Sequence, residues 1–565
     1  MISARDSLRR FTGAARVAAA RAAVARWRAG LLAIGLGVLT AGAVFRLRAG
    51  FNPRSLWLDD QWVAVLVRHA SLPELFQLKA PGPLGFLLLL KAVAAAAGFG
   101  AWQLQLLPLV FGVAQIAVIG WIAYRLTDRA MLGLFAAALL AGSRTLAVYS
   151  LRVKQFTLEG FVVLVLIALA MLCLRRLRGW TFWLLLAAAA AAMAFSFTAA
   201  PVGLVIVNGI TLHVFLARRD ELKVSRRAVA AGCAAYDLIV LAWVGLFQAH
   251  QANELIVQFW SDYYLPLNDP SALWSFATVQ IPRFLTGALP SNLGWFAIGA
   301  PLGIALLCGR TSTRSIGLAL LVFYGGLLAA SALQLYPLGG RRTDVFSYPV
   351  TILAITGAVW VLSRRVWFLP EVAMIVVFIE ILLFFPEPRV HYSRQAGRGA
   401  IEMVNALAGD GDGLIVAPRA NWALGCYGRW PIQLVRADDS SNGFVVQVSR
   451  GQTLVLRESW EDMDIRQARA AVGMQLELFL ADAPRRLFFV SIGRWPVMDE
   501  WIEQVIEGHE YMVRPLAAPD EGTVLLYERD AADPEGIALT APHGLTGRAL
   551  CGGLGQTGRR AATTS

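Results

Sequence analysis

Two adjacent carboxylates, Asp59 and Asp60, follow Leu56-Trp57-Leu58 just beyond the first long apolar run of the chain. Paired carboxylates in this position suit general-base or metal-binding chemistry, because an acceptor nucleophile must lose a proton as it attacks. The same residues could instead belong to a solvated loop or cap the N-terminus of a helix. We treat both as candidate catalytic residues.

A second group of candidates is basic and lies near the ends of other apolar runs. Arg152 and Lys154 fall within Tyr149-Ser150-Leu151-Arg152-Val153-Lys154-Gln155-Phe156, Lys79 within Lys79-Ala80-Pro81-Gly82-Pro83, and Arg341 and Arg342 within Tyr336-Pro337-Leu338-Gly339-Gly340-Arg341-Arg342-Thr343-Asp344. Such cations bind phosphate through charge-assisted hydrogen bonds. The alternative is that they lie in ordinary turns or snorkel towards lipid headgroups.

Two further features are candidates with a structural alternative. Glu159 lies just inside an apolar run, where a carboxylate is costly and is a functional candidate by default. It could also simply pair with Lys154 or Arg152. Tyr263 and Tyr264 suggest either a substrate loop or an interfacial aromatic belt.

The composition is that of a membrane protein. The 565 residues are 57% hydrophobic and 16% charged, with a mean hydropathy of +0.57, whereas soluble proteins carry about 25% charged residues. Stretches such as Leu31–Phe45 and Trp180–Phe197 contain no charge. The net charge of +13 does not indicate nucleic acid, because the basic residues form short clusters between apolar segments.

These segments predict about eleven transmembrane helices. With this count, the basic clusters between the helices lie on the same side of the membrane as the basic N-terminus. The positive-inside rule predicts that this side is cytoplasmic. The spans are predicted near residues 30–46, 104–124, 130–149, 157–174, 180–197, 199–216, 228–247, 293–309, 315–333, 345–362 and 367–385. We predict that residues 83–99 form a juxtamembrane helix at the outer surface. If they crossed instead, another segment would have to fail to cross.

The domain prediction has four parts: a basic cytoplasmic N-terminus (1–29), a transmembrane catalytic domain (30–389), an exported α/β domain (390–530) and a disordered tail (531–565). Within the exported domain, apolar runs predict strands at Gly413–Ala417 and Leu487–Ile492, and helical spacing predicts helices at Gly399–Leu407 and Val497–Ile506. Cys426 and Cys551 could form a disulfide if this part is exported.

Taken together, these motifs resemble the GT-C superfamily of polyprenyl-phosphate-sugar glycosyltransferases. The resemblance is to the branch that contains protein O-mannosyltransferases and lipid A aminoarabinose transferases, and it covers about residues 30–390. Its first motif is Trp57-Leu58-Asp59-Asp60, followed by the Pro-rich helix start Lys79-Ala80-Pro81-Gly82-Pro83-Leu84 and by Tyr149 to Phe156. It implies a GT-C-like polytopic α-helical membrane protein with outer juxtamembrane helices and a small exported α/β domain.

The resemblance also implies roles for single residues. Asp59 matches the catalytic Asp, Asp60 replaces the usual Glu, and Lys154 matches the residue that contacts the donor phosphate. Lys79 matches a lysine near that phosphate, although Ala80 is an insertion before the proline. The late basic pair Arg341-Arg342 matches a similar outer motif.

The implied reaction is an inverting displacement without a cofactor, in which a divalent metal is possible but not expected. It would move a hexosyl or pentosyl group from a polyprenyl-phosphate-linked sugar to a glycan, lipid or protein acceptor at the plasma (inner) membrane. Two other functions are open: a lipid or sugar transporter or flippase, and a non-catalytic membrane scaffold. Transporters often show inverted repeats and interrupted helices at the midplane, whereas this sequence shows no repeat and concentrates its charges at the outer surface.

Overall fold

The computed structural model describes residues 55–77, 82–176, 179–216, 224–248, 260–311, 313–339, 342–384, 397–436, 444–449, 452–456, 465–482, 484–492, 496–516 and 522–529, with scattered helical positions between 29 and 43. Up to residue 384 the described chain is helical, because a helix satisfies its backbone polar groups internally and can cross lipid. The helices are Leu58–His69, Leu72–Gln77, Leu84–Ala97, Ala101–Thr127, Ala130–Gly142, Arg144–Tyr149, Phe156–Arg176, Gly179–Met193, Ala199–Leu216, Arg226–Trp243, Pro270–Ser275, Ile281–Thr286, Gly299–Cys308, Arg314–Ala332, Tyr348–Leu362 and Leu369–Phe384. Short π-helical or 3-10 segments are Val244–Gln248, Ser261–Tyr263, Phe276–Gln280, Ser291–Ile298 and Thr343–Ser347.

Six helices of the described chain are long and apolar enough to cross a membrane: Ala101–Thr127, Phe156–Arg175, Arg226–Leu246, Ser291–Cys308, Arg314–Ala332 and Thr343–Leu362. Shorter apolar helices are Leu84–Ala97, Ala130–Gly142, Gly179–Met193 and Ala199–Phe215. Helices therefore occupy the predicted spans from residue 104 onwards, while the total of eleven crossings stays a prediction. The first predicted span, 30–46, is described only at scattered positions.

Six helices are used below and are labelled α1 (Leu58–His69), α2 (Leu84–Ala97), α3 (Phe156–Arg176), α4 (Ala199–Leu216), α5 (Arg226–Trp243) and α6 (Ala420–Tyr427). Helix α2 has 14 residues, and at 1.5 Å per residue it is about 21 Å long, shorter than the ~30 Å hydrocarbon core of a bilayer. Its Lys91 donates hydrogen bonds from Nζ to the carbonyl oxygens of Val67 (2.8 Å) and Ala70 (2.7 Å), at the C-terminal end of α1. The lysine that interrupts this apolar helix thus ties it to α1, and the juxtamembrane position of the helix stays a prediction.

Residues 397–529 form an α/β unit. Its helices are Arg398–Leu407, α6, Ile465–Ala481 and Pro496–Gly508, and its strands are β1 (Gly413–Val416), β2 (Ile432–Arg436), β3 (Phe444–Val448), β4 (Thr453–Val455), β5 (Arg486–Ile492), β6 (Tyr511–Leu516) and β7 (Gly522–Arg529). The main sheet has the order β4-β1-β5-β7-β6, with β1 parallel to β4 and β5 and the other pairs antiparallel, and β2 pairs with β3. Strand β1 is buried along its whole length, as expected for a parallel strand covered on both faces.

Helix α6 packs directly on α1, so one hydrophobic core runs through both parts of the molecule. An ideal Cβ on Gly425 would lie 2.8 Å from Val65 Cγ2, which shows how closely the two helices approach. The Trp62 and Trp422 rings meet edge to face at 6.0 Å. The Cys426 thiol lies 3.4 Å from the Gln61 carbonyl oxygen in this interface, while its predicted disulfide partner falls outside the described residues.

Candidate active site

Helix α1 brings the two candidate carboxylates into the protein interior. It begins after Trp57, which has an extended backbone conformation, so that Asp59 and Asp60 lie in the first turn, where the helix dipole favours negative charge. Their exposed fractions are only 8% and 2%. The alternative of a solvated loop is therefore wrong, because apolar side chains of α1 hold this turn against the core.

Asp60 binds the loop that precedes α3. Its Oδ1 accepts a hydrogen bond from the backbone N–H of Val153 at 3.0 Å, and its Oδ2 lies 3.5 Å from Arg152 Nη1. Burial raises the pKa of Asp60 to about 6, although the positive charges of Arg152 and Lys154 act in the opposite direction. Asp60 thereby fixes the backbone between the two basic residues.

Asp59 faces a different part of the chain. Its Oδ2 lies 2.5 Å from Nη1 of Arg342, a pair separated by 283 positions in sequence. The guanidinium of Arg342 also lies over the Trp260 ring, with Cζ 4.6 Å from the ring centre. Asp59 is thus the point where α1 meets the segments that contain Trp260 and Arg342.

Of the two basic residues of the loop before α3, Lys154 is buried and the Arg152 side chain is 11% exposed, so neither is directed to headgroups. Lys154 is 6% exposed, and its Nζ lies 5.4 Å from the centre of the Trp62 ring. Arg152 Cζ lies 4.3 Å above the Trp57 ring. Burial lowers the pKa of Lys154, and the carboxylates of Asp59 and Asp60 oppose that shift. Snorkelling, the alternative for these cations, is wrong, because aromatic faces and carboxylates hold both side chains inside.

Hydrogen bonds between its own residues hold the segment that carries Arg342 in place. The fully buried Asp344 accepts a hydrogen bond at Oδ1 from the backbone N–H of Gly339 at 3.3 Å. Gly339 adopts φ +82°, a conformation that favours glycine. The Tyr336 hydroxyl donates to the carbonyl oxygen of Thr343, and burial raises the pKa of Tyr336 well above its ordinary value, so that it stays a neutral donor. These bonds preorganise the backbone on both sides of Arg342.

The predicted substrate loop joins the same segment. The backbone N–H of Leu338 donates to the carbonyl oxygen of Tyr263 at 2.8 Å. The Tyr263 ring lies 5.3 Å from that of Trp260, and Tyr264 is buried. Tyr263 therefore contacts Trp260, whose ring lies against Arg342; the role of both tyrosines in substrate binding stays a prediction.

Not every predicted site residue joins this cluster. Glu159 is buried, but its Oε1 accepts a hydrogen bond from the backbone N–H of Phe197 at 3.3 Å, and no ion pair joins it to Arg152 or Lys154. That predicted pairing is wrong, because the first turn of α3 directs the carboxylate towards Phe197. Lys79 and Arg341 lie outside the described residues.

Sequence reasoning also missed two residues of the site. Trp260 and Asp344 each lie close to a predicted motif in the sequence. Their spacing did not indicate that Trp260 would contact Arg342 or that Asp344 would bind the Gly339 backbone. Among the described residues, no group of three or more His, Cys, Asp or Glu side chains could hold a metal ion.

In sum, the structure brings two carboxylates and three cations together from separate segments: Asp59, Asp60, Arg152, Lys154 and Arg342. With both carboxylates ionised, these five side chains carry one net positive charge (three cations minus two anions). A site with excess positive charge, aromatic rings and carboxylates beside the cations can bind a phosphate ester and remove a proton from a neighbouring nucleophile.

Two solved structures share this fold. The crystal structure of ArnT from Cupriavidus metallidurans bound to undecaprenyl phosphate matches with a TM-score of 0.52 at 13% identity, over 88% of this chain and 98% of that one. The apo crystal structure of the same protein matches with a TM-score of 0.51 at 14% identity, over the same shares. No protein-family model and no curated protein sequence matches significantly. The chain thus has the predicted GT-C-like fold of a multi-pass membrane protein.

Proposed function

We propose that this chain is a membrane glycosyltransferase of the GT-C type that takes a sugar from a polyprenyl-phosphate donor. The observation that carries the proposal is the cluster in which Asp59 and Asp60 lie among Arg152, Lys154 and Arg342. The fold supports it, because the ArnT structure that shares this fold was determined with undecaprenyl phosphate bound.

The cations are assigned to the donor phosphate. Arg342 and Lys154 approach the carboxylates from different segments, and both side chains are mostly buried, so their charges are little screened by water. In the structure Arg342 pairs with Asp59. A bound phosphate would compete for this guanidinium and leave Asp59 available as a base.

Asp59 is assigned as the general base. The acceptor hydroxyl or amine attacks the anomeric carbon of the donor, and Asp59 takes the proton that the nucleophile loses. The bond between that carbon and the phosphate oxygen breaks, with its electron pair going to the phosphate. The cations stabilise the negative charge of the leaving group, and a single in-line displacement inverts the anomeric centre.

Asp60 is assigned a positioning role. It holds the Val153 backbone N–H and the Arg152 side chain, and thereby sets the position of Lys154, the residue that follows Val153. We further propose that the site faces the extracytoplasmic side of the plasma membrane, with a glycan, glycolipid or protein as acceptor and either a hexosyl or a pentosyl group as the sugar. No metal is assigned a role.

The test is a panel of undecaprenyl-phosphate-linked hexoses and pentoses, offered to the purified protein in vesicles together with envelope extracts as acceptors. We expect one donor to yield free undecaprenyl phosphate and a glycosylated acceptor in equal amounts. Movement of an intact donor across the vesicle membrane, with no cleavage of any donor in the panel, would instead establish the transporter function and end this proposal.

A further inference from the structure

A polar cluster outside the candidate active site interrupts the exposed face formed by α4 and α5. Asp237 is the twelfth residue of the 21-residue candidate span Arg226–Leu246, which places its carboxylate near the middle of the bilayer, roughly 16 Å along the helix from Arg226. Asn208 lies beside it on α4, and the hydrogen bond between their side chains is exposed. A polar group at this depth is expensive unless something covers it.

The other carboxylates in the described apolar helices are buried inside the protein. Glu159, Glu371 and Glu380 are 4%, 3% and 7% exposed, so the protein itself covers them. Glu380, for example, accepts a hydrogen bond from the backbone N–H of Asn292 at 3.1 Å. Within the described residues of these helices, Asp237 is the carboxylate that reaches the lipid-facing surface.

The two carboxylate oxygens of Asp237 have unequal hydrogen-bond donors. Asn208 uses both amide protons, donating from Nδ2 to the carbonyl oxygen of Leu204 at 3.0 Å and to Asp237 Oδ1 at 3.1 Å. The Cys233 thiol donates to Asn208 Oδ1 at 3.2 Å and lies 3.8 Å from Asp237 Oδ2. Among the described residues, Asp237 Oδ2 therefore has only a distant thiol, which is a weak donor.

The surface around the carboxylate is open and apolar. Leu212, Leu238 and Leu241 are 60%, 67% and 68% exposed, and a Cβ placed on Gly209 would meet no atom within 4 Å. Small residues such as Gly209 let a second helix approach closely in lipid. We call the surface formed by Asn208, Gly209, Asp237, Leu238 and Leu241 the Asp237 face.

We infer that the Asp237 face binds a transmembrane helix of another membrane protein, one with a basic side chain near its centre. Charge complementarity selects this occupant, because the carboxylate oxygen Oδ2 has only the distant Cys233 thiol as a donor and lipid headgroups do not reach the midplane. The described candidate spans of a second copy do not supply one. In the described residues of the six candidate spans, Lys and Arg lie only near the ends, and a copy related by a two-fold axis would bring another carboxylate to the same depth.

The test uses the full chain in phosphatidylcholine vesicles and two synthetic Leu/Ala transmembrane peptides, dansylated and identical except for lysine or leucine at the centre. Energy transfer from the tryptophans of the protein reports association. We expect the lysine peptide to bind about threefold to thirtyfold more tightly than the leucine peptide. This preference should disappear in Asp237→Leu, shrink in the isosteric Asp237→Asn and persist in Glu380→Gln, which removes a buried span carboxylate instead.

Equal binding of the two peptides to the wild-type protein would overturn the inference, as would a lysine preference that survives in Asp237→Leu. Self-association of the wild-type chain that is lost in Asp237→Leu, without any preference for the lysine peptide, would also overturn it and assign the face to a second copy. The Asp237→Asn variant preserves the side-chain shape, so the comparison does not depend on whether Asp237→Leu inserts normally.

Discussion

At the scale of single residues, two neighbouring carboxylates with identical chemistry are given different environments. Asp60 is held by the Val153 backbone N–H and by Arg152, and burial raises its pKa to about 6. Asp59 has an arginine partner from a distant part of the chain. This asymmetry is why we assign proton transfer to Asp59 and positioning to Asp60.

Replacement of Lys154 by Met should preserve the shape of a buried side chain while removing its charge. A charged hydrogen bond to a phosphate contributes about 1.5–3 kcal/mol, so we expect kcat/KM for the donor to fall by about tenfold to a hundredfold. Lys154→Arg should recover part of the loss because it restores the positive charge. The measurement is steady-state transfer with purified protein, and unchanged kinetics in Lys154→Met would remove this lysine from the phosphate site.

The pH dependence of transfer should report on Asp60. Because its pKa is raised to about 6, the carboxylate is ionised and attracts Arg152 above this pH and becomes neutral as the pH falls through it. We therefore expect the transfer rate to decline below about pH 6. Asp60→Asn should be slower than wild type above about pH 6, should approach the wild-type rate below it, and should lack this decline; an identical acidic limb in the variant would assign it to another group.

At the scale of elements, the most informative contact is the one between α1 and α6. The hydrogen bonds from Arg68 to the Cys426 carbonyl oxygen (2.9 Å) and between His69 and the Gly425 carbonyl oxygen (3.2 Å) join residues more than 350 positions apart. Burial lowers the pKa of His69, so the ring is a neutral partner at ordinary pH. The α/β unit therefore braces the same helix that carries the two carboxylates.

Gly425→Val should test this bracing. The added side chain would meet Val65, whose Cγ2 lies 2.8 Å from an ideal Cβ, so α6 and α1 must separate. We expect transfer to fall at least tenfold while the protein still inserts into the membrane. Gly508→Val is the matched control, because a Cβ there meets nothing within 4 Å. Equal activity in both variants would show that the α1–α6 contact does not support the site.

Helices and strands could be predicted from sequence where the local pattern of apolar residues specifies them. Strand β5 and the helix Arg398–Leu407 lie where a continuous apolar run and helical spacing of apolar residues predicted them. The contacts between elements could not be predicted in this way. Nothing local to Arg342 indicates that it meets Asp59 rather than water, and nothing local to Glu159 indicates Phe197 as its partner, because these contacts depend on how distant helices pack.

At the scale of the whole molecule, the site requires segments that are far apart in sequence to lie on one side of the membrane. The contacts of Asp59 with Arg342 and of Asp60 with Val153 meet this requirement. We expect single cysteines introduced at the exposed Asp262 and Asp410, in a chain without its native cysteines, to react with an impermeant maleimide in intact spheroplasts. A cysteine at the exposed Ser225 should react only after permeabilisation. The reverse pattern would place the site on the cytoplasmic side.

The central claim is that Asp59 takes the proton of the acceptor in a sugar transfer. The most direct test is single-turnover transfer by wild type and Asp59→Asn with the donor identified from the panel, with Asp410→Asn as an exposed control. We expect Asp59→Asn to bind the donor but to lower the rate of the chemical step by about 10²- to 10⁴-fold, and Asp410→Asn to react at the wild-type rate. A wild-type rate of transfer in Asp59→Asn would contradict the account.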